Sequence, residues 1–300
     1  MVSGISGADI IQKSNFVKNS TMQPTIQYIR KELQSVCSPE ETESMVRLIF
    51  RHLKNFTLTD LVLKKEETLS PEEKEIVVEI TRRLKNSEPL QYILGETEFL
   101  GLTLKVNPDV LIPRPETEEL IGWILESGQL FGNILDIGTG SGCIAIALKH
   151  HLKASSVYAC DISREALDTA RKNAMLNNLD ITFIQADILK DKELQITVKP
   201  DLIVSNPPYV RESEKLFMAD NVTRFEPGIA LFVNDEQPLV YYEAIANFAK
   251  ESGANGGWLY LEINESLGPE MVALLSSMDF GFVEIRKDLQ GKDRMIRARI

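Results

Sequence analysis

Only three cysteines occur in 300 residues. Cys37, Cys143 and Cys160 lie far apart, each in an apolar segment, which excludes a disulfide framework and a metal-ligand spacing and reads as reduced core thiols. Histidine is as scarce, and His52, His150 and His151 form no recognisable metal set. Apolar residues make up 43% of the chain, yet no uninterrupted apolar run is long enough to span a bilayer. Positive charge is in deficit. A formal net charge of −11 disfavours broad attraction to nucleic acid, whose binding is dominated by phosphate neutralisation. Arg286, Lys287, Lys292, Arg294, Arg297 and Arg299 cluster near the C-terminus, but the alternation there is that of a half-exposed strand, so these side chains are expected to decorate its solvent side. No internal repeat or low-complexity segment occurs. Residues 1–20 lack the apolar core of a secretion signal, and Asp9 with only two lysines makes a poor transit peptide. They are expected to be a flexible N-terminal arm on a soluble, cytoplasmic protein.

Length alone favours two domains. Residues 21–88 carry helical spacing: Ile26, Ile29 and Leu33, then Met45, Leu48, Ile49 and Leu53, then Ile76, Val77, Ile80 and Leu84. Ser38-Pro39-Glu40-Glu41 and Ser70-Pro71-Glu72-Glu73 are identical capping boxes with proline at the first helical position. Thr57 with Asp60 marks a shorter helix between them. These stripes predict a small helical bundle with the apolar residues as its core. Across 89–110 the pattern changes. Tyr92, Ile93, Phe99, Leu102, Leu104 and Val106, punctuated by Gly95 and Gly101, predict a two-stranded hairpin linker. Over 111–300 strand and helix signals alternate, as in an α/β fold with a mostly parallel sheet covered on both faces. Seven strands are predicted, ending with those around Trp258–Ile263, Phe282–Ile285 and Met295–Ile300.

Four strand ends carry chemistry. Ile134–Ile137 runs into Gly138-Thr139-Gly140-Ser141-Gly142 and then an apolar helix start at Cys143, a unit that lets a ligand approach backbone closely at a helix N-terminus. The glycines alternate as G-x-G-x-G, which is neither the dinucleotide fingerprint nor, lacking a following Lys-Ser/Thr, a phosphate loop. Asp136 sits one residue inside the strand end, placed to orient the loop or to reach a ligand amino group. The next strand ends in Asp161, where a carboxylate can accept both hydroxyls of a ribose. The third ends in Asp187, which could accept from the amino group of an adenine. A helix cap or a solvated loop charge is the commoner fate of a single Asp, but these lie in series along one rim of one sheet. The fourth strand, Leu202–Ser205, runs into Asn206-Pro207-Pro208-Tyr209. The Asn206 side chain and the Pro207 carbonyl are two acceptors that can take both N–H donors of one NH₂ group, a grip suited to making a planar amide or amino nitrogen attack an electrophilic carbon. Tyr209 supplies a flat face, and the two prolines stiffen the loop. The plain alternative is a strand-ending turn.

With these motifs in hand, the chain resembles the class I S-adenosylmethionine-dependent methyltransferases, and among them the glutamine-N5 methyltransferases of release factors (the HemK/PrmC family). Asn-Pro-Pro-Tyr is shared with adenine-N6 and cytosine-N4 DNA methyltransferases. Leu90-Gln91-Tyr92-Ile93-Leu94-Gly95, Phe99 and Val110-Leu111-Ile112-Pro113-Arg114-Pro115-Glu116-Thr117-Glu118 look like the more specific linker signature, and Asp288, Gly291, Asp293 and Arg294 are similar to the family's closing strand region. The resemblance covers about residues 25–300. It implies a seven-stranded Rossmann-like methyltransferase sheet, its final strand inserted antiparallel, with a small N-terminal helical bundle as substrate-docking domain and the hairpin as linker. It implies S-adenosylmethionine as cofactor, with S-adenosylhomocysteine as product, held by Asp136, Gly138, Thr139, Gly140, Ser141, Gly142, Asp161, Asp187, Ile188 and Asn206. Ile188 departs from the aromatic that some members carry there. Asn206, Pro207, Pro208 and Tyr209 would bind the substrate glutamine, with Asn206, Pro207 and Tyr209 catalytic, and Glu116 and Thr117 lie in a segment that could cover the cofactor. The implied partner is a class I peptide-chain release factor, methylated at the glutamine of its Gly-Gly-Gln motif, with no membrane and no direct nucleic-acid substrate. Two alternatives stand: a nucleic-acid base methyltransferase using the same grip, which would have to extract its base from a stack, and a non-catalytic protein that kept the cofactor fold.

Overall fold

A computed structural model describes residues 21–190, 194 and 196–300; the expected arm, residues 1–20, lies outside them. The chain divides into two compact units, one ending at Leu94 and the other starting at Gly95. The first is helical. Helices Met22–Leu33, Pro39–Lys54, Leu58–Leu63, Pro71–Lys85 and Leu90–Leu94 follow one another. The capping boxes start the longer ones: Glu41 N donates to Ser38 Oγ while Ser38 N donates to the Glu41 carboxylate, and Ser70 and Glu73 repeat the exchange. Two otherwise unpaired backbone donors are thereby satisfied at each helix start. Met22, Ile26, Ile29, Leu33, Val46, Ile49, Phe50, Val77, Ile80 and Leu84 make the core. Leu48 and Ile76, read as part of the apolar stripes, are instead exposed. The buried face of each helix is set by Val46, Ile49 and Phe50 or by Val77, Ile80 and Leu84, and a residue one step off an i, i+3, i+4 face turns outward.

The residues read as one linker divide between the units. Leu90–Leu94 is a helix of the first, while strands β1 (Glu96–Phe99) and β2 (Leu102–Lys105) form an antiparallel hairpin of the second. The reason is polar as well as apolar. Asn173, fully buried in the helix Arg164–Leu176, accepts from Lys105 N and donates to Lys105 O, and Asn177 donates to Thr103 O.

The main sheet has seven strands: β3 (Asn133–Ile137), β4 (Ser156–Asp161), β5 (Thr182–Gln185), β6 (Leu202–Ser205), β9 (Trp258–Glu262), β10 (Val283–Lys287) and β11 (Asp293–Arg299). Their order is β10-β11-β9-β6-β3-β4-β5, with β7 (Val210–Arg211) and β8 (Phe232–Val233) pairing separately. β3, β4, β5, β6 and β9 run parallel, and β11 inserts antiparallel between β9 and β10. The fold is α/β. Because both faces are covered, β6 and β9 are buried at every residue rather than alternating. Ile134, Leu202, Val204 and Tyr260 face one core, with helices Pro115–Glu126 and Cys143–His151; Leu135, Ile203, Leu259 and Leu261 face the other, with Val240–Ser252 and Gly268–Ser277. The C-terminal basic residues are matched by acids: Arg286 pairs with Glu126, Lys287 with Asp293, Lys292 with Glu265, Arg294 with Asp288 and Arg297 with Glu284. They do not form the exposed side of one alternating strand, the arrangement expected from the sequence. Arg294 and Arg297 project from opposite faces of β11 and are largely covered, Arg297 against Trp123 and Trp258, because β11 is an interior strand with both faces packed. No helix among the described residues is long and apolar enough to cross a membrane.

Candidate active site

Chain order reverses direction across the sheet at β3, since β4 and β5 lie on one side of it and β6 and β9 on the other. Ligands of open α/β sheets bind outside the strand C-termini at such a point. Here Ser205 Oγ donates to Ile137 O at 2.6 Å, fixing the ends of β6 and β3 together. A cleft partly open to solvent lies there. Gly138, Thr139, Gly140 and Ser141, Asp161, Asp187 and Ile188, and Asn206, Pro207 and Pro208 all line it. Asp136, Gly142 and Tyr209 do not.

The glycine loop is held from below. Gly138 N and Thr139 N both donate to Cys160 O at 2.9 Å, and Gly140 N donates to Asp161 Oδ2 at 2.8 Å. Gly138, Gly140 and Gly142 have φ of +72°, +54° and +83°, the region where side chains are strained. A Cβ at Gly138 or Gly140 would meet no protein atom within 4 Å, so the space beside them is cleft, whereas at Gly142 it would sit 3.1 Å from the Ala170 Cβ. The backbone conformation requires glycine at the first two positions, and at the third helix packing requires it as well. Asp136, fully buried, accepts from Thr139 Oγ1 at 2.6 Å and from Ala145 N at 3.2 Å through one oxygen, while its other oxygen has no partner. This geometry fills the first of its two expected roles, orienting the loop.

Burial pushes the Asp136 carboxyl up to about 7, against the two donated hydrogen bonds. A carboxyl raised in the fold makes a contribution that is fully present below its unfolded value and lost as pH rises through its folded one. At 1.36 kcal/mol per pKa unit, a rise from 3.8 to about 7 corresponds to on the order of 4 kcal/mol lost on going from acid to above neutral pH. Asp136→Asn has no such titration. Melting temperatures without added cofactor should show the variant gaining on the parent between pH 5 and pH 8; a difference that stays flat across that range excludes the assignment.

Asp161 uses Oδ1 to accept from Ser163 N at 2.9 Å, and burial raises its pKa. Asp187 accepts from Leu189 N and pairs with Lys190 at 2.8 Å, which holds its carboxyl below the usual range. Cys143 and Cys160 sit in the cleft wall. Burial pushes the Cys143 thiol up to about 12, so it is no nucleophile at neutral pH.

In the Asn206-Pro207-Pro208-Tyr209 loop, Asn206 Nδ2 donates to Thr117 Oγ1 at 3.1 Å. Among the described residues, no donor reaches Asn206 Oδ1 or the Pro207 carbonyl. Tyr209 donates its hydroxyl to Glu262 Oε1 at 3.0 Å and its carbonyl accepts from Asn264 Nδ2 at 3.1 Å. Its ring packs partly buried against the core rather than lining the cleft. Val110, Leu111, Pro113, Arg114 and Thr117 also line the cleft. Glu226 clamps that segment, accepting from Ile112 N at 3.1 Å and from Arg114 Nη2 at 2.6 Å.

Three residues here escaped the sequence reading. Asn173 also donates to Ser141 O, joining hairpin and glycine loop, and Glu226 lies in an unremarkable loop. Glu262 did leave a signal, a carboxylate within the apolar run Trp258–Ile263.

Family models and relatives show the chain to be a methyltransferase. Residues 117–254 match the methyltransferase small domain, and residues 25–95 match the PrmC N-terminal domain. The hMettl16 catalytic domain, solved in complex with MAT2A 3'UTR hairpin 6, shares the fold, with a TM-score of 0.52 at 17% identity over 75% of this chain and 81% of that one. The release factor glutamine methyltransferase of Flavobacterium psychrophilum is 45% identical over 271 residues, 89% of this chain and 94% of its own length. The protein of that name from Bacteroides thetaiotaomicron is 43% identical, covering 90% of this chain and 97% of its own. The chain belongs to the release factor glutamine methyltransferase family.

Proposed function

We propose that this protein transfers the methyl group of S-adenosylmethionine to the side-chain N5 nitrogen of the glutamine in the Gly-Gly-Gln motif of class I peptide-chain release factors, in the cytoplasm. One observation carries the reading: in the lining of a cleft suited to a nucleoside, Asn206 Oδ1 and the Pro207 carbonyl are two acceptors that no donor among the described residues reaches. An NH₂ group has two N–H donors to give them.

The cleft suits the cofactor. Asp161 would accept the ribose hydroxyls, Asp187 and Ile188 would meet the adenine, and the Gly138–Gly142 backbone would pass the methionine part, with the unpartnered Asp136 oxygen and Ser141 Oγ below it. When bound, S-adenosylmethionine supplies an electrophilic methyl carbon and leaves as S-adenosylhomocysteine. Asn206 and Pro207 hold the amide in plane, and their oxygens favour the positive charge that grows on nitrogen as its electron pair forms the new bond. The methylated nitrogen then sheds one proton to solvent, so no general base is needed. Pro208 stiffens the grip, and Tyr209 supports it from behind through its bond to Glu262. Rate comes from positioning and electrostatics.

The test is transfer of labelled methyl to a purified class I release factor, beside a copy with the Gly-Gly-Gln glutamine replaced and beside duplex DNA. Label on the intact factor alone is expected. Label on DNA would support the base-methylating alternative, and label on neither would support the non-catalytic one.

A further inference from the structure

Asn206 can grip an NH₂ group only if its amide presents oxygen, not nitrogen, to the substrate. An amide has two nearly isosteric orientations, related by a half-turn, and only one of them offers an acceptor. Something in the protein has to choose. The choice is written in a chain of three side chains from distant parts of the sequence. Glu262, at the end of β9, is 1% exposed, and Thr117, in the first turn of the helix Pro115–Glu126, is 2% exposed. Thr117 Oγ1 lies 2.7 Å from Glu262 Oε2, and Asn206 Nδ2 lies 3.1 Å from Thr117 Oγ1.

We propose that Glu262 and Thr117 are positioning residues that fix the polarity of the Asn206 amide. A carboxylate oxygen only accepts hydrogen bonds, so the Thr117 hydroxyl spends its single hydrogen on Glu262. What remains on Thr117 Oγ1 is lone pairs, which take a donor and repel an acceptor. Asn206 therefore turns its NH₂ to Thr117 and its oxygen to the cleft. The second Glu262 oxygen accepts from the Tyr209 hydroxyl at 3.0 Å, so both ends of the Asn206–Tyr209 loop are tied to one carboxylate. Burial raises the pKa of this carboxyl, while its two hydroxyl donors and the charge of Arg294 favour the ionised form. Leaving a buried side chain of this kind in a dry site is costly unless its hydrogen bonds are complete, and here each oxygen has one. A methyl in place of the Thr117 hydroxyl removes the selector: Asn206 then has no acceptor for its NH₂, and the two orientations become close in energy.

The proposal rests on the amide-methylating reading for its consequence, but not for its test. With asparagine side chains labelled with ¹⁵N, the Asn206 amide resonances should show a hydrogen-bonded, exchange-protected NH₂ in the parent protein. Thr117→Val should shift those resonances and abolish the protection, and Thr117→Ser, which keeps the hydroxyl, should restore both. Unchanged Asn206 resonances in Thr117→Val, or the same change in both variants, would overturn the relay whether or not the substrate assignment holds.

Activity gives the second readout. Thr117→Val is expected to lower kcat on the release factor about 10- to 100-fold: two orientations of similar energy account for only about a twofold loss, and the rest follows because Asn206 also loses the hydrogen bond that holds it still, which costs rate rather than affinity. KM for the factor and the dissociation constant for S-adenosylmethionine should stay within about threefold, and Thr117→Ser should recover most of the rate. Glu262→Gln, whose amide can donate to Thr117 and so reverse the chain, should fall with Thr117→Val. A parent enzyme that ignores the glutamine would refute the substrate reading alone, whereas a full rate in a folded Thr117→Val would refute the relay.

Discussion

Replacing Asn206 with alanine should lower kcat for methyl transfer by about 10³-fold or more while leaving S-adenosylmethionine bound. Removing one preorganised hydrogen-bonding group from a reacting centre typically costs 10²- to 10³-fold, and Asn206 does more than that. In the proposed grip it would accept one N–H of the substrate amide, and through its own NH₂ it closes the chain to Thr117. The alanine variant leaves the Pro207 carbonyl as the sole acceptor, so the substrate NH₂ can rotate out of line with the methyl carbon. Asn206→Asp makes the point more sharply. A carboxylate would still accept from the substrate, but it has no hydrogen for Thr117 Oγ1, whose own hydrogen is committed to Glu262. Two acceptors would then face each other across about 3 Å, so Asp is expected to rescue little of the loss. Single-turnover transfer of labelled methyl to the release factor measures the rate, and equilibrium binding of the cofactor checks that the cleft is intact. A variant that keeps a tenth of the parental kcat would remove Asn206 from the mechanism.

How much of this was legible in the sequence depends on distance along the chain. The glycine loop, Asp161, Asp187 and Asn206 each sit at the end of an apolar run, and period alone locates those runs; a parallel sheet then brings the ends to one rim. The capping boxes are local as well, with both halves three residues apart. The contacts that orient the site are of another kind. Thr117 and Glu262 are 145 residues apart, and Arg114 and Glu226 are 112, so nothing in the pattern around either member names its partner. Tyr209 shows the limit in the other direction. Its place in the motif suggested a face for the substrate, but its hydroxyl finds a buried carboxylate on β9 and the ring follows. The hairpin was legible as a hairpin, while its allegiance to the second unit depends on Asn173 and Asn177, two side chains of a helix about 70 residues downstream.

Asp161→Ala should weaken S-adenosylmethionine binding by about 10²- to 10⁴-fold. Its carboxylate would accept both ribose hydroxyls, and hydrogen bonds to a charged group contribute about 1.5–3 kcal/mol each. The loss does not stop at the ligand, because the same side chain holds Gly140 N at 2.8 Å and Ser163 N at 2.9 Å. Without it the glycine loop, which turns through positive φ at three glycines, loses its tether to β4 just where the proposed cofactor contacts would lie. The parent protein should show the same dependence through pH. A ribose hydroxyl donates to a carboxylate but meets a competing hydrogen on a carboxylic acid, so protonating Asp161 weakens binding. Burial raises its pKa, which means protonation begins at a higher pH than for an exposed aspartate. Cofactor affinity should therefore hold at neutral and alkaline pH and decline as pH falls through that raised value. Calorimetric titration of S-adenosylhomocysteine into parent and variant from pH 5 to pH 8 measures both effects. Parental affinity in Asp161→Ala would place the ribose elsewhere in the cleft, and a parent whose affinity is level across the range would mean that the carboxylate stays ionised throughout.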